Sequence, residues 1–386
     1  VATDIVHWLR LRAGIEEFQD YEEFLERNSD WPGIDYLRSQ GENAINNSIQ
    51  PDRIEACFSS RAPQTGKGIL HLATAYLQND RKLEAEVLML TGWMEHSFSK
   101  RDFQRALNVF GPLLSELHEG RLNNLLWTGR IADAQQMLNL VEGEILQLAE
   151  VRIALQKLKP GVDQLIAELP TRIKKDPGLI YDRFSFRRKK NLHQSATQLL
   201  LSTSTSSEQL GRPEIWLDAR QAYSRRTLLK GDAKKAYKIA SQHFVNLETR
   251  NNYSKTADLE WFAGFIALNF LEAPDKALEH FLNFSRIVLN PSNKAKAAYW
   301  LGRTLEKLDR IEEAQKSYQM GANYQTFFYG QLSAEYVGIP AKNFLIEKAQ
   351  RHDWEGSEFL KSTSVKAAIL LFYAGRSVLS DRFFNH

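Results

Sequence analysis

The chain has 386 residues, of which 43% are hydrophobic and 25% charged, and its formal net charge is +3. This length exceeds what one compact core usually holds, so we expect several soluble domains or an extended repeat architecture. The single cysteine, Cys57, excludes an internal disulfide and a cysteine-based metal site, and no apolar run reaches the roughly 20 residues needed to cross a bilayer. Because the chain begins at Val1 rather than a methionine, we expect it to be processed or a piece of a longer protein.

In chain order, the predicted elements are helices that form pairs. Asp30 stands two residues before Pro32 and predicts a helix N-terminus there. Weak copies of a helix pair follow at residues 72–85, 127–140 and 231–240. Between them, the short Ser/Thr stretch at residues 202–207 predicts an exposed loop.

The two clearest copies of the helix pair occupy residues 261–281 and 299–318. Apolar residues recur at steps of three and four, which is the spacing of one helical face. The step from Ala277 to Phe281 is repeated from Ala314 to Tyr318, about 37 residues later, close to the roughly 34-residue tetratricopeptide period. Small residues such as Gly302 predict that the paired helices approach closely.

These patterns predict an all-α fold, a tetratricopeptide-like α-superhelix in the form of a U-shaped solenoid of helix hairpins. The Ala273-Pro274 and Asn290-Pro291 steps predict breaks between helices. The repeat pattern stops near Gly330. We therefore assign residues 1–333 to a superhelical U-like domain and residues 334–386 to the start of a helical linker domain that is truncated.

No motif for catalysis, a cofactor or a metal stands out. Residues 66–68 lack the flanking pattern of a phosphate-binding loop and predict a turn. None of the nine histidines has metal-ligand spacing. The carboxylate pairs Glu22-Glu23 and Glu312-Glu313 predict solvated helix faces rather than acid–base catalysts. We expect no cofactor, no metal and no catalytic residue in this chain.

Residues 172–190 interleave basic and aromatic side chains. The basic residues are Arg172, Lys174, Lys175, Arg183, Arg187, Arg188, Lys189 and Lys190, and the aromatic residues are Tyr181, Phe184 and Phe186. This pattern is typical of a segment that binds a polyanion through its basic residues or stacks its aromatic rings on sugar rings. The alternative is a helix whose aromatic residues face the core while its basic residues face solvent.

A second basic stretch follows Pro213. Arg220, Arg225 and Arg226 lie at helical spacing beyond this proline. We expect these arginines to pair with acidic residues on the next repeat rather than to bind a ligand.

Six segments of this chain, in order, resemble the soluble lytic murein transglycosylases. The matching residues are Asp30-Trp31-Pro32-Gly33 with Leu37-Arg38 and Glu42; Asp176-Pro177-Gly178-Leu179 with Tyr181-Asp182-Arg183 and Arg187-Arg188; Gly211-Arg212-Pro213-Glu214 with Trp216 and Arg220; Ala257 to Gly264 with Glu260-Trp261; Tyr299-Trp300-Leu301-Gly302-Arg303; and Thr326 to Leu332. The last departs from the family's TFYGQLA by one extra phenylalanine, and Ser333 replaces its alanine.

The resemblance implies a periplasmic protein with a U-shaped superhelical domain, a linker domain and a lysozyme-like catalytic domain enclosed by both. That enzyme cleaves the bond between N-acetylmuramic acid and N-acetylglucosamine and leaves a 1,6-anhydro end, using a glutamate followed by serine. No Glu-Ser dipeptide occurs in this sequence. The chain is therefore expected to be the non-catalytic part of such an enzyme or a member that has lost the catalytic domain.

Three functions follow as hypotheses. In the first, the superhelix binds the glycan strands of peptidoglycan and scaffolds the catalytic domain, with Tyr181, Arg183, Arg187 and Arg188 as glycan contacts. In the second, it is a scaffold for protein partners such as a cell-wall synthase, without enzyme activity. The third, nucleic-acid binding through residues 172–190, is disfavoured by the balanced charge of the remaining chain.

Overall fold

The computed structural model describes residues 1–248, 253–340 and 356–386. Within these ranges the chain is all-α, with α-helices joined by turns and short 3-10 helices. This confirms the predicted fold class of packed helix hairpins. The U-shaped superhelical path stays a prediction.

The helices belong to two compact units. The first unit comprises Val1–Ile153 and Gln350–His386, and the second comprises Ala154–Ala349. The first unit contains α1 (Ala2–Arg12), α2 (Phe18–Arg27), α3 (Ile34–Ala44), α4 (Pro51–Phe58), α5 (Gly66–Gln78), α6 (Lys82–Glu95), α7 (Lys100–Leu114), α8 (His118–Trp127) and α9 (Ile131–Met137). The division between the units falls within α10 (Gly143–Gln156).

The second unit is a succession of helix hairpins. It contains α11 (Val162–Glu168), α12 (Pro177–Lys189), α13 (His193–Thr203), α14 (Ser207–Leu210), α15 (Leu217–Leu229), α16 (Ala233–Ser241), α17 (Tyr253–Phe270), α18 (Pro274–Ile287), α19 (Pro291–Lys307), α20 (Ile311–Ala322) and α21 (Phe328–Tyr336). The last two helices, α22 (Thr363–Tyr373) and α23 (Ser377–Phe384), belong to the first unit.

The two clearest sequence repeats form the hairpins α17–α18 and α19–α20, and both close in the same way. A Cβ atom on Gly264 would lie 2.8 Å from the ring of Phe281, and one on Gly302 would lie 2.5 Å from the ring of Tyr318. Each glycine therefore lets the aromatic ring of the next helix press against its backbone. The close approach predicted from Gly302 is confirmed, and Gly264 supplies the same contact one repeat earlier.

The starts of α18 and α19 follow the predicted breaks. The first residue of α18 is Pro274, and that of α19 is Pro291. The side chain of Asn290 accepts a hydrogen bond from the backbone N–H of Asn293 and so caps α19. The Ala273-Pro274 and Asn290-Pro291 signals are confirmed.

The core of the first unit joins sequence-distant helices. The rings of Trp8 and Trp31 each lie 5.1 Å from the ring of Phe383, centroid to centroid. Trp31 Nε1 also donates a hydrogen bond of 3.1 Å to the hydroxyl oxygen of Thr363. Helices α22 and α23 therefore complete a hydrophobic core with α1, α2 and α3. The sequence-based boundary at residue 333 stays a prediction, and residues 341–355 of the expected linker domain lie outside the described residues.

The predicted helix start at Asp30 is wrong. Residues 29–33 are turns and a bend, and α3 begins at Ile34. Gly33 is its N-cap residue, with a left-handed φ of 78°. The fully buried indole of Trp31 accounts for this turn, because the chain must aim that side chain into the core before the helix begins.

Candidate anion-binding cleft

The four predicted glycan contacts, Tyr181, Arg183, Arg187 and Arg188, all lie on α12. This helix begins with Pro177, and the Asp176 side chain caps it by accepting a 2.8 Å hydrogen bond from the backbone N–H of Leu179. A proline at the first helical position and an acidic N-cap are typical of a helix N-terminus. The Asp-Pro-Gly-Leu segment of the resemblance is therefore a helix start.

The aromatic side chains of α12 pack against the following helices. Phe184 is 1% exposed, and its ring lies 5.0 Å from that of Trp216. The Tyr181 ring meets Trp216 edge-on at 5.0 Å, and burial raises the pKa of its half-buried hydroxyl. Phe184 thus follows the alternative in which the aromatic residues of this stretch face the core. Glycan contact by Tyr181 stays a prediction.

The three predicted arginines of α12 are half-buried. Burial lowers the pKa of Arg183, and the neighbouring positive charge of Arg187 lowers it further. Arg187 Nη1 donates a 3.1 Å hydrogen bond to the carbonyl oxygen of Ser195 on α13. The charge of Arg188 acts on Tyr223 of α15, together with that of Arg226. The basic end of α12 therefore lies close to α13 and α15.

Positive charge is concentrated on two consecutive hairpins. Residues 186–198 contain four Lys or Arg residues and no acidic residue, and residues 222–238 contain six Lys or Arg residues and one acidic residue, Asp232. The first segment covers the end of α12 and most of α13, and the second covers most of α15 and α16. The net charge of the whole chain, +3, does not reveal this local excess of basic residues.

A cavity of about 460 Å³ opens between these hairpins. We call it the basic cleft. Three helices and their ends line it: α13 with His193, Gln194, Thr197, Gln198 and Leu201; α15 and its C-cap with Arg226, Thr227 and Lys230; and α16 and its N-cap with Lys235 and Asp232. His193 Nδ1 and the Tyr223 hydroxyl share a 2.9 Å hydrogen bond across the two hairpins. The cleft thus combines cations with amide and hydroxyl groups.

The cations of the cleft are only partly compensated. Asp232 caps α16 and forms a 2.5 Å ion pair with Lys235, so its charge is already engaged. Among the described residues, Arg226 and Lys230 form no ion pair and no hydrogen bond through their side chains. Burial and the positive charges of Arg226 and Lys230 lower the pKa of His193. The cleft therefore favours an anionic ligand.

Arg220, expected to pair with an acidic residue, has a different environment. It is fully buried and donates hydrogen bonds of 2.9 Å to the carbonyl oxygen of Ile239 and 2.5 Å to the Ser204 hydroxyl. Burial lowers its pKa to about 9. The expectation of an acidic partner is wrong for Arg220, because neutral oxygen acceptors hold it in place. It is also wrong for Arg226, which forms no ion pair within the described part of the chain.

The prediction of an exposed loop at residues 202–207 is wrong for residues 202–204, and the buried Arg220 is again the reason. Helix α13 continues to Thr203, and Thr203 and Ser204 are buried. Ser204 is needed inside as the acceptor for Arg220.

A buried polar network that the sequence did not suggest surrounds Glu260 of α17. His243 Nε2 lies 2.8 Å from Glu260 Oε1, and His280 Nδ1 lies 2.7 Å from Glu260 Oε2. His243 Nδ1 accepts a hydrogen bond from the backbone N–H of Val245, which leaves its Nε2–H to donate to Glu260. The Tyr237 hydroxyl lies 3.0 Å from His280 Nε2 and extends the network.

The network stabilises the charged form of Glu260. Burial by itself raises the pKa of this carboxyl, but hydrogen bonds from His243 and His280 outweigh burial and lower the pKa to about 2. The three groups come from different elements, separated by 17 and 20 residues in sequence. A glutamate within the fourth resemblance segment is thus a structural anchor between hairpins.

Residues 66–68 begin α5, so the predicted turn is wrong. Thr65 caps this helix, since its hydroxyl oxygen accepts a 3.0 Å hydrogen bond from the backbone N–H of Gly68. The buried carboxylate of Glu42 holds the chain just before the helix by accepting hydrogen bonds of 2.8 and 2.7 Å from the backbone N–H groups of Gln64 and Thr65. A Cβ atom on Gly68 would lie 2.4 Å from Glu42 Oε2, and one on Gly66 would lie 2.3 Å from the carbonyl oxygen of Ser97. The two glycines serve close packing rather than phosphate binding.

A larger cavity, of about 800 Å³, lies in the first unit between α2, α3 and α4. Its lining carries both signs of charge, including Glu22, Arg38 and Arg61. Arg38 and Arg61 both pair with Asp35, at 3.4 and 3.0 Å, and Glu22 pairs with Arg53 at 2.5 Å. The charges of Glu22, Arg38 and Arg61 are therefore already compensated, unlike those of Arg226 and Lys230 in the basic cleft.

The candidate carboxylate pairs lie on helix surfaces. Glu23 accepts a hydrogen bond from Gln19, and Glu313 forms a two-point pair with Arg310, with both distances 2.7 Å. These local partners agree with the solvated faces that were expected.

Within residues 1–248, 253–340 and 356–386, no group of three or more His, Cys, Asp or Glu side chains could hold a metal ion. The same part of the chain has no helix long and apolar enough to cross a membrane. No protein-family model matches the chain, and no curated protein sequence matches it.

Proposed function

We propose that this chain is the non-catalytic superhelical part of a periplasmic lytic transglycosylase, and that it binds peptidoglycan and scaffolds the catalytic domain. The observation that carries the proposal is the basic cleft, which lies next to two of the six resemblance segments. One segment ends in Arg187-Arg188 on α12, and the other leads into α15 through Gly211 to Arg220. A positively charged wall attracts the anionic peptide stems of murein and slows its release.

The test is to mix the full chain with purified murein sacculi, sediment them, and analyse the supernatant for 1,6-anhydromuropeptides. The proposal predicts that the chain pellets with sacculi and releases no anhydro product. Release of product would mean that this chain contains a catalytic acid. A protein that stays in the supernatant and releases nothing would remove the murein-binding function.

The second candidate function is a scaffold for protein partners without enzyme activity. It is favoured by the cavity of the first unit, whose mixed acidic and basic lining suits a peptide that carries both charges. This candidate predicts saturable binding of a protein partner that is unaffected by added murein fragments.

A further inference from the structure

The lining of the basic cleft carries charged and polar groups and contains no Phe, Tyr or Trp. Phe184 is in the core, and Tyr181 is edge-on against Trp216. Sugar rings bind proteins by stacking on open aromatic faces as well as by hydrogen bonds. Because no Phe, Tyr or Trp lines the basic cleft, the groups that it offers to a ligand are guanidinium, ammonium, amide and hydroxyl groups, together with the imidazole of His193.

The anionic groups of murein lie on its peptides. The N-acetylated sugars of the glycan strand are neutral, and the lactyl carboxyl of muramic acid is consumed in the amide bond to the peptide. The free carboxylates belong to the peptide stems. We propose, resting on the proposed function, that the basic cleft binds the free carboxylates of murein peptide stems, so that this surface recognises the peptides rather than the sugars.

The groups in the cleft suit such a ligand. Arg226 and Lys230 supply two cations with no ion pair or side-chain hydrogen bond among the described residues, and a carboxylate accepts charge-assisted hydrogen bonds from both residue types. Gln194, Thr197 and Gln198 line the opposite side of the cavity on α13 and offer hydrogen bonds to peptide amides. A volume of about 460 Å³ holds a carboxylate together with neighbouring peptide atoms.

The experiment compares two forms of sacculi stripped of phosphate-bearing polymers. One is native, and in the other the free carboxylates are amidated with carbodiimide and ammonia, which leaves the sugars unchanged. Binding of the full chain to both is measured by sedimentation over a range of protein concentrations. Three proteins are compared: the wild type, the cleft variant R226Q/K230Q and the control variant R286Q/K294Q. The control loses the same charge at exposed positions on α18 and α19.

Amidation is expected to weaken wild-type binding about tenfold or more, the loss that accompanies one charge-assisted contact. The cleft variant is expected to bind native sacculi as weakly as the wild type binds amidated sacculi, and amidation should weaken it no further. The control variant should behave like the wild type, because its cations lie outside the cleft.

Equal wild-type binding to native and amidated sacculi would overturn the inference while leaving the proposed function intact. A cleft variant that binds native sacculi like the wild type would also overturn it. Failure of the wild type to bind either form would remove the proposed function, and the inference with it. Because the substituted side chains are exposed, a folded cleft variant is expected, and circular dichroism checks this directly.

Discussion

The buried network around Glu260 and the basic cleft both lie among the helix hairpins of the second unit. They differ in whether their charged side chains have partners within the protein. In the network, the carboxylate of Glu260 receives hydrogen bonds from His243 and His280, and the ionised form is favoured. In the cleft, Arg226 and Lys230 lie in the same lining, and the acidic residue of that lining, Asp232, already pairs with Lys235. The difference separates charges that hold the fold together from charges available to a ligand.

The largest expected effect comes from breaking the network. Glu260→Leu leaves the donors of His243 and His280 buried without an acceptor, and we expect it to reduce the free energy of unfolding by about 3 kcal/mol. Urea unfolding followed by circular dichroism measures this loss. The matched control is Glu312→Leu, at an exposed position on α20, which should change stability by about 0.5 kcal/mol or less. Equal losses in both variants would contradict the structural role of the network.

Acid should weaken the network while leaving the cleft cations charged. The pKa of Glu260 is lowered from 4.5 to about 2 in the folded protein. A lowered carboxyl pKa contributes stability that is fully present above pH 4.5 and is lost as the pH falls through about 2. Unfolding free energies measured across this window should fall more steeply for the wild type than for Glu260→Gln. Parallel curves would show that Glu260 does not carry this pH dependence.

Removing charge from the basic cleft should increase stability, whereas removing the charge of Glu260 should decrease it. R226Q/K230Q relieves repulsion between exposed cations, so we expect it to stabilise the protein by roughly 0.5 kcal/mol at low ionic strength. Thermal unfolding measures the change, with R286Q/K294Q as the control. Destabilisation by the cleft variant alone would mean that Arg226 and Lys230 have structural partners.

The smallest expected effect is that of salt on the stability difference between R226Q/K230Q and the wild type. At an ionic strength of about 1 M the screening length falls to about 3 Å, so repulsion within the cleft is largely removed. The stability advantage of R226Q/K230Q over the wild type should therefore shrink as salt is added. An advantage that persists at high salt would have to come from packing rather than charge.

The sequence predicted the hairpins because their determinants are local. Gly302 and Tyr318 lie in adjacent helices of one repeat, and the same glycine–aromatic contact recurs at Gly264 and Phe281. The turn at Trp31 could not be predicted in this way. That side chain is placed by Thr363, 332 residues away in sequence, and no local pattern specifies such a contact.

The candidate site was predicted only in part. The basic end of α12 was singled out from composition, and Arg226 was noted as part of a separate stretch. Arg226 and His193 line the same cleft because α13 packs beside α15 and α16, whereas no residue of α12 lines it. A count of acidic residues around the basic ones would have pointed to this surface from the sequence alone, since residues 186–198 contain no Asp or Glu. The Glu260 network offered no such signal, because its members are scattered over three elements.

The most direct test of this account is thermal unfolding of the wild type and R226Q/K230Q, with and without soluble muropeptides that carry peptide stems. A ligand that binds only the folded state raises its melting temperature. We expect muropeptides to raise the melting temperature of the wild type but not that of the cleft variant, which should start from a slightly higher value without ligand. An equal rise in both proteins, or a lower starting value for the variant, would contradict the claim that the unpaired cations of the cleft are there for an anionic ligand.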